Sequence, residues 1–116
     1  MEKTIKIGEK EFKLHSSALT QFSYKNETGR SLLEDIKKLI PLAEMNITAE
    51  NMEILDNITE LVLPLTYVMV KEYDKSQALN YEEFLKSIDD LYGNLDWINE
   101  VIITGCSPIS RQLQNN

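Results

Sequence analysis

The chain has 116 residues, the length of a single domain, and this length excludes most multi-domain enzymes. Apolar residues make up 42% of the sequence and charged residues 27%, a balance typical of a globular domain rather than a disordered or membrane-embedded chain. Twelve basic and 19 acidic residues give a net charge of −7, which disfavours non-specific attraction to nucleic acid or to an anionic membrane. We therefore expect a protein partner, and neither nucleic acid nor membrane.

The lone cysteine and the start of the chain indicate the compartment. Cys106 has no second cysteine for an internal disulfide, and the charged residues 1–3 lead into no apolar signal segment. Residues 61–70 form an uncharged apolar run, but it is half the length needed to cross a bilayer and contains Pro64. These features predict a cytoplasmic protein.

Residues 4–14 predict a β-hairpin. Polar and apolar side chains alternate over residues 4–7 and 11–14, and the connection over residues 8–10 begins with a glycine. Two strands alone are marginally stable in water, so we expect their apolar face to pack on helices. The side chains of this face are Ile5, Ile7, Phe12 and Leu14.

Two helices are predicted after the hairpin. The first covers residues 17–27, with Ser16 or Ser17 as its amino-terminal cap and Gly29 as the residue that ends it. The second covers residues 32–40 and begins with a capping box, in which Ser31 and Glu34 each accept a backbone N–H of the other. We expect it to stop before Pro41, because proline disfavours a helical conformation in the preceding residue.

The third predicted helix, residues 49–74, begins after a Thr48 cap and is kinked at Pro64. Its apolar positions recur at alternating spacings of three and four. Proline has no N–H to donate to the carbonyl of Glu60, so we expect a kink or break into two segments. The apolar positions are Leu55, Ile58, Val62, Leu65 and Met69.

The fourth predicted helix covers residues 81–104 and ends at Gly105. Pro108 and the polar residues after it show no periodicity, which predicts a flexible tail over residues 106–116. The fold class is therefore an α-rich α+β fold, in which the amino-terminal hairpin packs on a bundle of four to five helices. Residues 1–105 form its single domain.

No residue pattern indicates catalysis. His15, the only histidine, has no other ligand type at metal-binding spacing, and Cys106 lacks an activating base, so we interpret it as an unreactive surface thiol. In each of the acidic pairs 82–83 and 89–90, the two side chains point about 100° apart on a helix and cannot converge on one metal ion. Lys86 is four residues from both Glu82 and Asp90, the spacing of exposed ion pairs, which favours a solvated helix face. There is no glycine-rich phosphate loop. We expect no enzyme activity and no catalytic, cofactor-binding or metal-binding residues.

A heptad-like apolar seam is the most distinctive feature of the predicted fourth helix. Its spacings are 4, 3, 4, 3 and 4, which is typical of a helix that packs along another helix. The seam can pack inside this protein's own bundle, or part of it can bind a partner, because further apolar residues widen it. The seam contains Phe84, Ile88, Leu91, Leu95, Ile98 and Ile102, and the candidate partner-binding residues are Leu91, Leu95, Ile98 and Ile102.

Several short motifs follow the hairpin in a distinctive order. The sequence reads Phe-Ser-Tyr-Lys over residues 22–25 and Thr-Gly-Arg-Ser-Leu-Leu-Glu-Asp-Ile over residues 28–36. Further along, Thr-Tyr-Val-Met-Val-Lys at residues 66–71 precedes Asp74 and Tyr-Glu-Glu-Phe-Leu at residues 81–85. Together with the hairpin these motifs cover roughly residues 4–103, and their order resembles the tail assembly chaperones of long-tailed phages and prophages of Gram-positive bacteria.

The resemblance implies a non-enzymatic chaperone of phage tail assembly. Such a protein binds the long helical tape measure protein in the host cytoplasm, keeps it soluble, recruits tail tube protein and is absent from the mature virion. In this family a longer product often arises by ribosomal frameshifting near the end of the short reading frame. Self-association is compatible with this role.

An alternative from another class is a small acidic regulatory or inhibitor protein, including a nucleic-acid mimic, that binds a basic protein partner. The net charge permits this alternative. In the first half of the chain, however, lysines lie among the carboxylates, whereas a mimic presents a dense acidic array.

Overall fold

The computed structural model describes residues 1–43, 52–78 and 80–114, and in these residues a two-stranded antiparallel hairpin is followed by five α-helices. The predicted helix-rich α+β fold class is therefore confirmed. A short 3₁₀ helix, Lys75–Gln77, lies between the third and fourth α-helices. The elements are β1 Glu2–Ile7, β2 Lys10–His15, α1 Ala18–Thr28, α2 Leu32–Ala43, α3 Met52–Tyr73, α4 Tyr81–Lys86 and α5 Asp96–Gln114.

The hairpin has a two-residue loop and packs its apolar face on the helices, as expected. Ile5 lies opposite Phe12 in the register, and Gly8 in the loop has a φ of 61°, which glycine adopts without a steric cost. β2 packs on α3 and β1 packs on α5. The four apolar side chains of this face, Ile5, Ile7, Phe12 and Leu14, are all buried.

α1 forms as the sequence predicts, and Ser17 rather than Ser16 is its cap. The Ser17 hydroxyl belongs to a capping box with Thr20, whose hydroxyl accepts the Ser17 N–H at 2.9 Å. The helix ends at Gly29, which has a left-handed φ of 74° and donates its N–H to the carbonyl of Lys25 at 2.8 Å.

α2 differs from its prediction at both ends. It continues through Pro41 to Ala43, so the expected end at residue 40 is wrong. A proline in the last turn removes a single backbone hydrogen bond, and the buried stripe of α2 still holds the helix against the core.

At the start of α2, the Ser31 carbonyl accepts the Asp35 N–H at 3.0 Å, but no hydrogen bond to the Ser31 hydroxyl is found among the described residues. The capping box belongs to Ser17, one helix earlier.

α3 is one uninterrupted helix through Pro64, so the expected break into two segments is wrong, and the alternative of a kink at Pro64 stays a prediction. Its predicted start near Thr48 lies outside the described residues. The Glu60 carbonyl, which has no helical donor because Pro64 lacks an N–H, instead accepts a hydrogen bond from the Arg30 guanidinium at 3.3 Å. On either side of the proline, Val62 and Leu65 are fully buried and hold the helix in the core.

The predicted helix over residues 81–104 is two helices in the structure. α4 ends at Lys86, and residues 87–95 form an irregular connection before α5. Asp90 Oδ1 accepts the backbone N–H of Gly93 at 2.9 Å, and Asn94 Oδ1 accepts that of Asp96 at 2.9 Å. Short acidic and amide side chains that bond nearby backbone N–H groups favour turns over helix, which explains the break.

α5 extends to Gln114, so the predicted end at Gly105 is wrong, and residues 106–114 are helical where an aperiodic tail was predicted. Residues 115–116 lie outside the described part. Gly105 sits where α5 crosses α3, and a Cβ at this position would lie 2.7 Å from Leu65 Cδ2.

Cys106 is buried, not a surface thiol, and burial raises the pKa of its thiol to about 11. Its predicted lack of reactivity therefore has a different cause, namely shielding and a high pKa.

Candidate partner-binding site

The four predicted partner-binding residues do not form a helical seam. Leu91 and Leu95 lie in the connection over residues 87–95, half-buried against the core. Ile98 and Ile102 lie in α5, where their exposed fractions are 0% and 1%. A partner could reach these two isoleucines only by displacing core contacts of the chain itself.

Trp97 shows how the connection joins the core. Its indole N–H donates to the carbonyl of Leu91 at 2.9 Å, and its side chain is buried. The irregular connection therefore places Leu91 beside α5 without being helical. The heptad-like spacing arose because residues of the connection and of two separate helices all pack on one core.

An open groove lies between α1 and α3 and is the candidate partner-binding site. It has a volume of about 330 Å³ and continues past the end of α3 to the 3₁₀ helix. On the α1 side it is lined by Leu19, Ser23, Asn26 and Glu27. On the other side it is lined by Tyr67, Val68, Lys71, Glu72 and Lys75.

α1 exposes two large apolar side chains, and one of them lines this groove. Leu19 lines the groove and is 56% exposed, and Phe22, which lies one turn further along α1 and outside the groove lining, is 59% exposed. These are the two largest exposed fractions among the large apolar side chains of the described residues. Tyr67 and Val68 on the opposite wall are buried. An apolar segment placed in the groove would therefore remove Leu19 from water, and a segment that extends onto the adjoining surface of α1 would also cover Phe22, which favours binding.

A buried carboxylate fixes one end of the groove. The carboxylate of Glu72 has a side-chain exposure of only 6% and accepts hydrogen bonds from the hydroxyls of Ser17, at 2.7 Å, and Thr20, at 2.8 Å. His15 Nε2 lies 3.6 Å from Glu72 Oε2, so the single histidine joins this junction. These contacts connect the end of β2 and the start of α1 to the end of α3.

A buried polar cluster fixes α1 further along. The hydroxyl of Tyr24 donates to Asp35 Oδ2 at 2.5 Å, and Arg30 Nε donates to the same oxygen at 3.0 Å. Burial, and after it the hydrogen bond with Asp35, raises the pKa of Tyr24 to about 12. Hydrogen bonds to Tyr24 and Asp35 raise the pKa of Arg30. Because Arg30 also bonds the carbonyl of Glu60, the cluster joins α1, α2 and α3.

The two ends of the groove differ in charge. Lys71 lies in the last turn of α3 and Lys75 in the 3₁₀ helix that follows, and the hydrogen bonds of Glu72 place the end of α3 beside the start of α1, on the Leu19 side of the groove. Asn26 and Glu27 line the groove near the end of α1. The Lys71 ammonium lies 5.1 Å from the centroid of the Tyr67 ring, a cation–π distance, and neither lysine forms an ion pair with another described residue. The groove thus combines the apolar side chains of Leu19, Tyr67 and Val68 with polar ones, and its two lysines lie on the Leu19 side.

Within residues 1–43, 52–78 and 80–114, no three His, Cys, Asp or Glu side chains lie close enough to hold a metal ion. None of the helices in the same residues is long and apolar enough to cross a bilayer.

Comparisons with profiles of known protein families, with curated proteins and with solved structures found no match. The groove therefore has to be interpreted from its own residues. Sequence reasoning did not select Leu19, Phe22, Lys71 or Lys75 as site residues. One available signal was the spacing of Leu19 and Phe22, which are three residues apart and therefore neighbours on the surface of one helix. The other residues of this segment are mostly polar, so two adjacent large apolar side chains stand out.

Proposed function

We propose that this chain is a phage tail assembly chaperone that binds an amphipathic helical segment of tape measure protein in the groove between α1 and α3, without catalysis. The observation that carries the proposal is the exposure of Leu19 in the groove and of Phe22 one turn further along α1, opposite the buried Tyr67 and Val68. The resemblance adds support, since two of its motifs, residues 22–25 and 66–71, belong to the two helices that form the groove.

The physical basis is the burial of apolar surface on both partners. A tape measure helix that exposes an apolar stripe aggregates with others of its kind, and a groove that covers the stripe prevents this. Leu19 and Phe22 would act as the anchors that supply most of the binding energy. The net charge of −7 would keep the loaded complex in solution through repulsion between complexes.

The proposal includes the wider role that the resemblance implies. The chain would act in the cytoplasm of a bacterial host, recruit tail tube protein to the tape measure protein and be absent from the mature virion. A tape measure reading frame directly downstream of the gene, with an overlapping frame between them, is the expected genetic context. Its absence would favour the acidic regulator instead.

Co-expression with that tape measure protein tests the binding site. We expect the wild-type chain to keep the partner soluble and to co-purify with it, and we expect L19D and F22D to lose both properties. L33D is the matched control, because Leu33 is a similarly exposed leucine on α2, away from the groove. Circular dichroism must show that all three variants remain folded.

Two results would count against the proposal. The first is a tape measure protein that stays insoluble and never associates with the wild-type chain. The second is binding that is unaffected by L19D and F22D but collapses at moderate salt, since ionic binding is screened and apolar binding is not. The second result would favour an acidic regulator that binds a basic partner.

A further inference from the structure

The charged residues along the α1–α3 groove indicate which charges its partner carries, in addition to an apolar stripe. We infer that the groove selects a helical segment with carboxylates at one end and seats that end against Lys71 and Lys75. This inference rests on the proposed function, because it concerns the ligand of the same groove. It specifies the chemistry of the segment and the direction in which its charged end lies.

The basic end of the groove is unusual in so acidic a chain. The chain has 19 acidic and 12 basic residues, yet two lysines line this end and neither is paired with a described carboxylate. The nearest groove carboxylate, Glu72, is buried and already accepts hydrogen bonds from the hydroxyls of Ser17 and Thr20. The two ammonium groups therefore remain available to an incoming acidic group.

The opposite end has the opposite character. Glu27 and Asn26 line it, and both are exposed. A carboxylate placed there would meet a like charge, whereas the same carboxylate near Lys71 and Lys75 would meet a net positive formal charge, because the two lysines outnumber Glu72 on that side. The groove is thus electrostatically polarised along its length, and this polarity disfavours an acidic end placed near Glu27.

The dimensions fit a short helical segment. From Leu19 to Glu27, α1 spans about 12 Å at 1.5 Å per residue, which corresponds to roughly two turns of a bound helix. Two turns present apolar side chains at i, i+3, i+4 and i+7, enough to cover Leu19 and Phe22. The acidic residues of such a segment lie in the turn that extends past Leu19 toward Lys75.

Synthetic peptides test this inference on the intact protein. Three 18-residue helical peptides share one leucine stripe and differ only in their last turn, which carries three Glu, three Lys or three Gln. We expect fluorescence anisotropy to show the Glu peptide binding about tenfold more tightly than the Lys peptide, with the Gln peptide between them. The difference should shrink as salt rises, because exposed charges are screened.

A pair of double variants with the same net charge provides the decisive comparison. We expect K71E/K75E to reverse the preference, so that it binds the Lys peptide most tightly. K37E/K38E changes the same number of charges on exposed positions of α2, outside the groove, and should keep the wild-type preference. A general effect of net charge would change both double variants alike and would overturn the inference.

The L19D variant separates failure of this inference from failure of the proposed function. If L19D abolishes binding of all three peptides but the wild-type chain binds them equally, the charge selection is wrong and the groove remains the binding site. If the peptides bind and L19D leaves their binding unchanged, the groove is not the site, and both proposals fail. If none of the three peptides binds, the selection of a helical segment by charge is also wrong.

Discussion

Arg30 donates a hydrogen bond to the carbonyl oxygen of Glu60 at 3.3 Å, the acceptor that Pro64 leaves without a helical donor. The same guanidinium bonds Asp35 through Nε at 3.0 Å. A residue in the connection between α1 and α2 therefore supplies the hydrogen-bond donor that the backbone of α3 lacks at Pro64. This explains how α3 passes through a proline without interruption.

A double-mutant cycle between Arg30 and Pro64 tests this relationship. R30A should destabilise the protein by roughly 1–3 kcal/mol, because it leaves Asp35 and the Glu60 carbonyl with fewer partners. P64A restores an N–H that can donate to Glu60, so R30A should cost about 0.5–1.5 kcal/mol less in the P64A background. Urea denaturation of the four proteins measures this coupling. Equal costs of R30A in both backgrounds would show that Arg30 does not compensate for the proline.

Tyr24 predicts a specific loss of stability in alkali. Its pKa is about 12 in the folded chain against an ordinary value of 10, because burial and the hydrogen bond to Asp35 disfavour the phenolate. A pKa raised on folding gives a stabilising contribution that is complete below about pH 10 and is lost as the pH rises toward 12. The slope approaches about 1.4 kcal/mol per pH unit between the two values.

Y24F should remove this part of the alkaline loss, and it should also cost stability at neutral pH because Asp35 loses a donor. Chemical denaturation at several values between about pH 8 and pH 11 measures both effects. Y73F serves as the control, since Tyr73 is exposed and lies outside the Asp35 cluster. A wild type and a Y24F variant with parallel pH profiles would contradict the prediction.

Much of the fold follows from local patterns, and the errors occur where distant contacts outweigh them. Alternation identified the hairpin, and the glycine after α1 identified its end. Gly105 carried the same end signal as Gly29, but it lies inside α5 because α3 passes too closely for a side chain. A glycine selected for close packing cannot be distinguished from a helix terminator without knowledge of the neighbouring helix.

The site was harder to predict than the fold for a related reason. The apolar spacing from Phe84 to Ile102 matched a heptad, but a spacing cannot show whether the backbone stays helical between the residues. The signals of the break were present at Asp90 and Asn94, which are common in turns. The groove depends on α1 packing along α3, a pairing between segments some fifty residues apart that no local pattern specifies.

Gly105 gives a prediction in which two effects oppose each other. Alanine has a higher helix propensity than glycine by about 1 kcal/mol, so G105A would stabilise an isolated helix. In the folded chain the new Cβ would lie 2.7 Å from Leu65 Cδ2, and overpacking of this kind typically costs about 1–3 kcal/mol. We expect net destabilisation.

Thermal and urea denaturation of G105A measure the net effect, with N99A on the exposed face of α5 as the control. L65A costs stability by itself, but it removes the clashing methyl groups, so G105A should become neutral or stabilising in the L65A background. A G105A variant more stable than wild type would mean that α3 and α5 can separate slightly at little cost.

The side-chain amide of Gln77 forms hydrogen bonds with the outer backbone edge of β2, as a neighbouring strand would. Its Oε1 accepts the N–H of Lys13 at 3.0 Å, and its Nε2 donates to the carbonyl of Lys13 at 3.0 Å and to that of Val70 at 3.0 Å. One amide side chain thus satisfies both backbone groups of an edge residue, which is otherwise a position open to pairing with other chains. It also joins β2 to the end of α3.

Q77A should therefore expose the Lys13 N–H, and amide hydrogen exchange at this residue should accelerate by roughly tenfold or more, with a stability loss of about 1–2 kcal/mol. Q77E keeps an acceptor for Lys13 N–H but loses both donors, so its Lys13 amide should stay partly protected while its stability falls.

S76A, next to Gln77 in the 3₁₀ helix, is the control for local disturbance of that turn. Thr4 lies opposite Lys13, three pairs from the mutually hydrogen-bonded Met1 and Ser16, so the alternation of an antiparallel pair directs its N–H away from β2, and this amide should exchange rapidly in every variant. If Lys13 exchanged equally fast in wild type and Q77A, the side chain would not protect this edge in solution, and the link between β2 and α3 would depend on apolar packing alone.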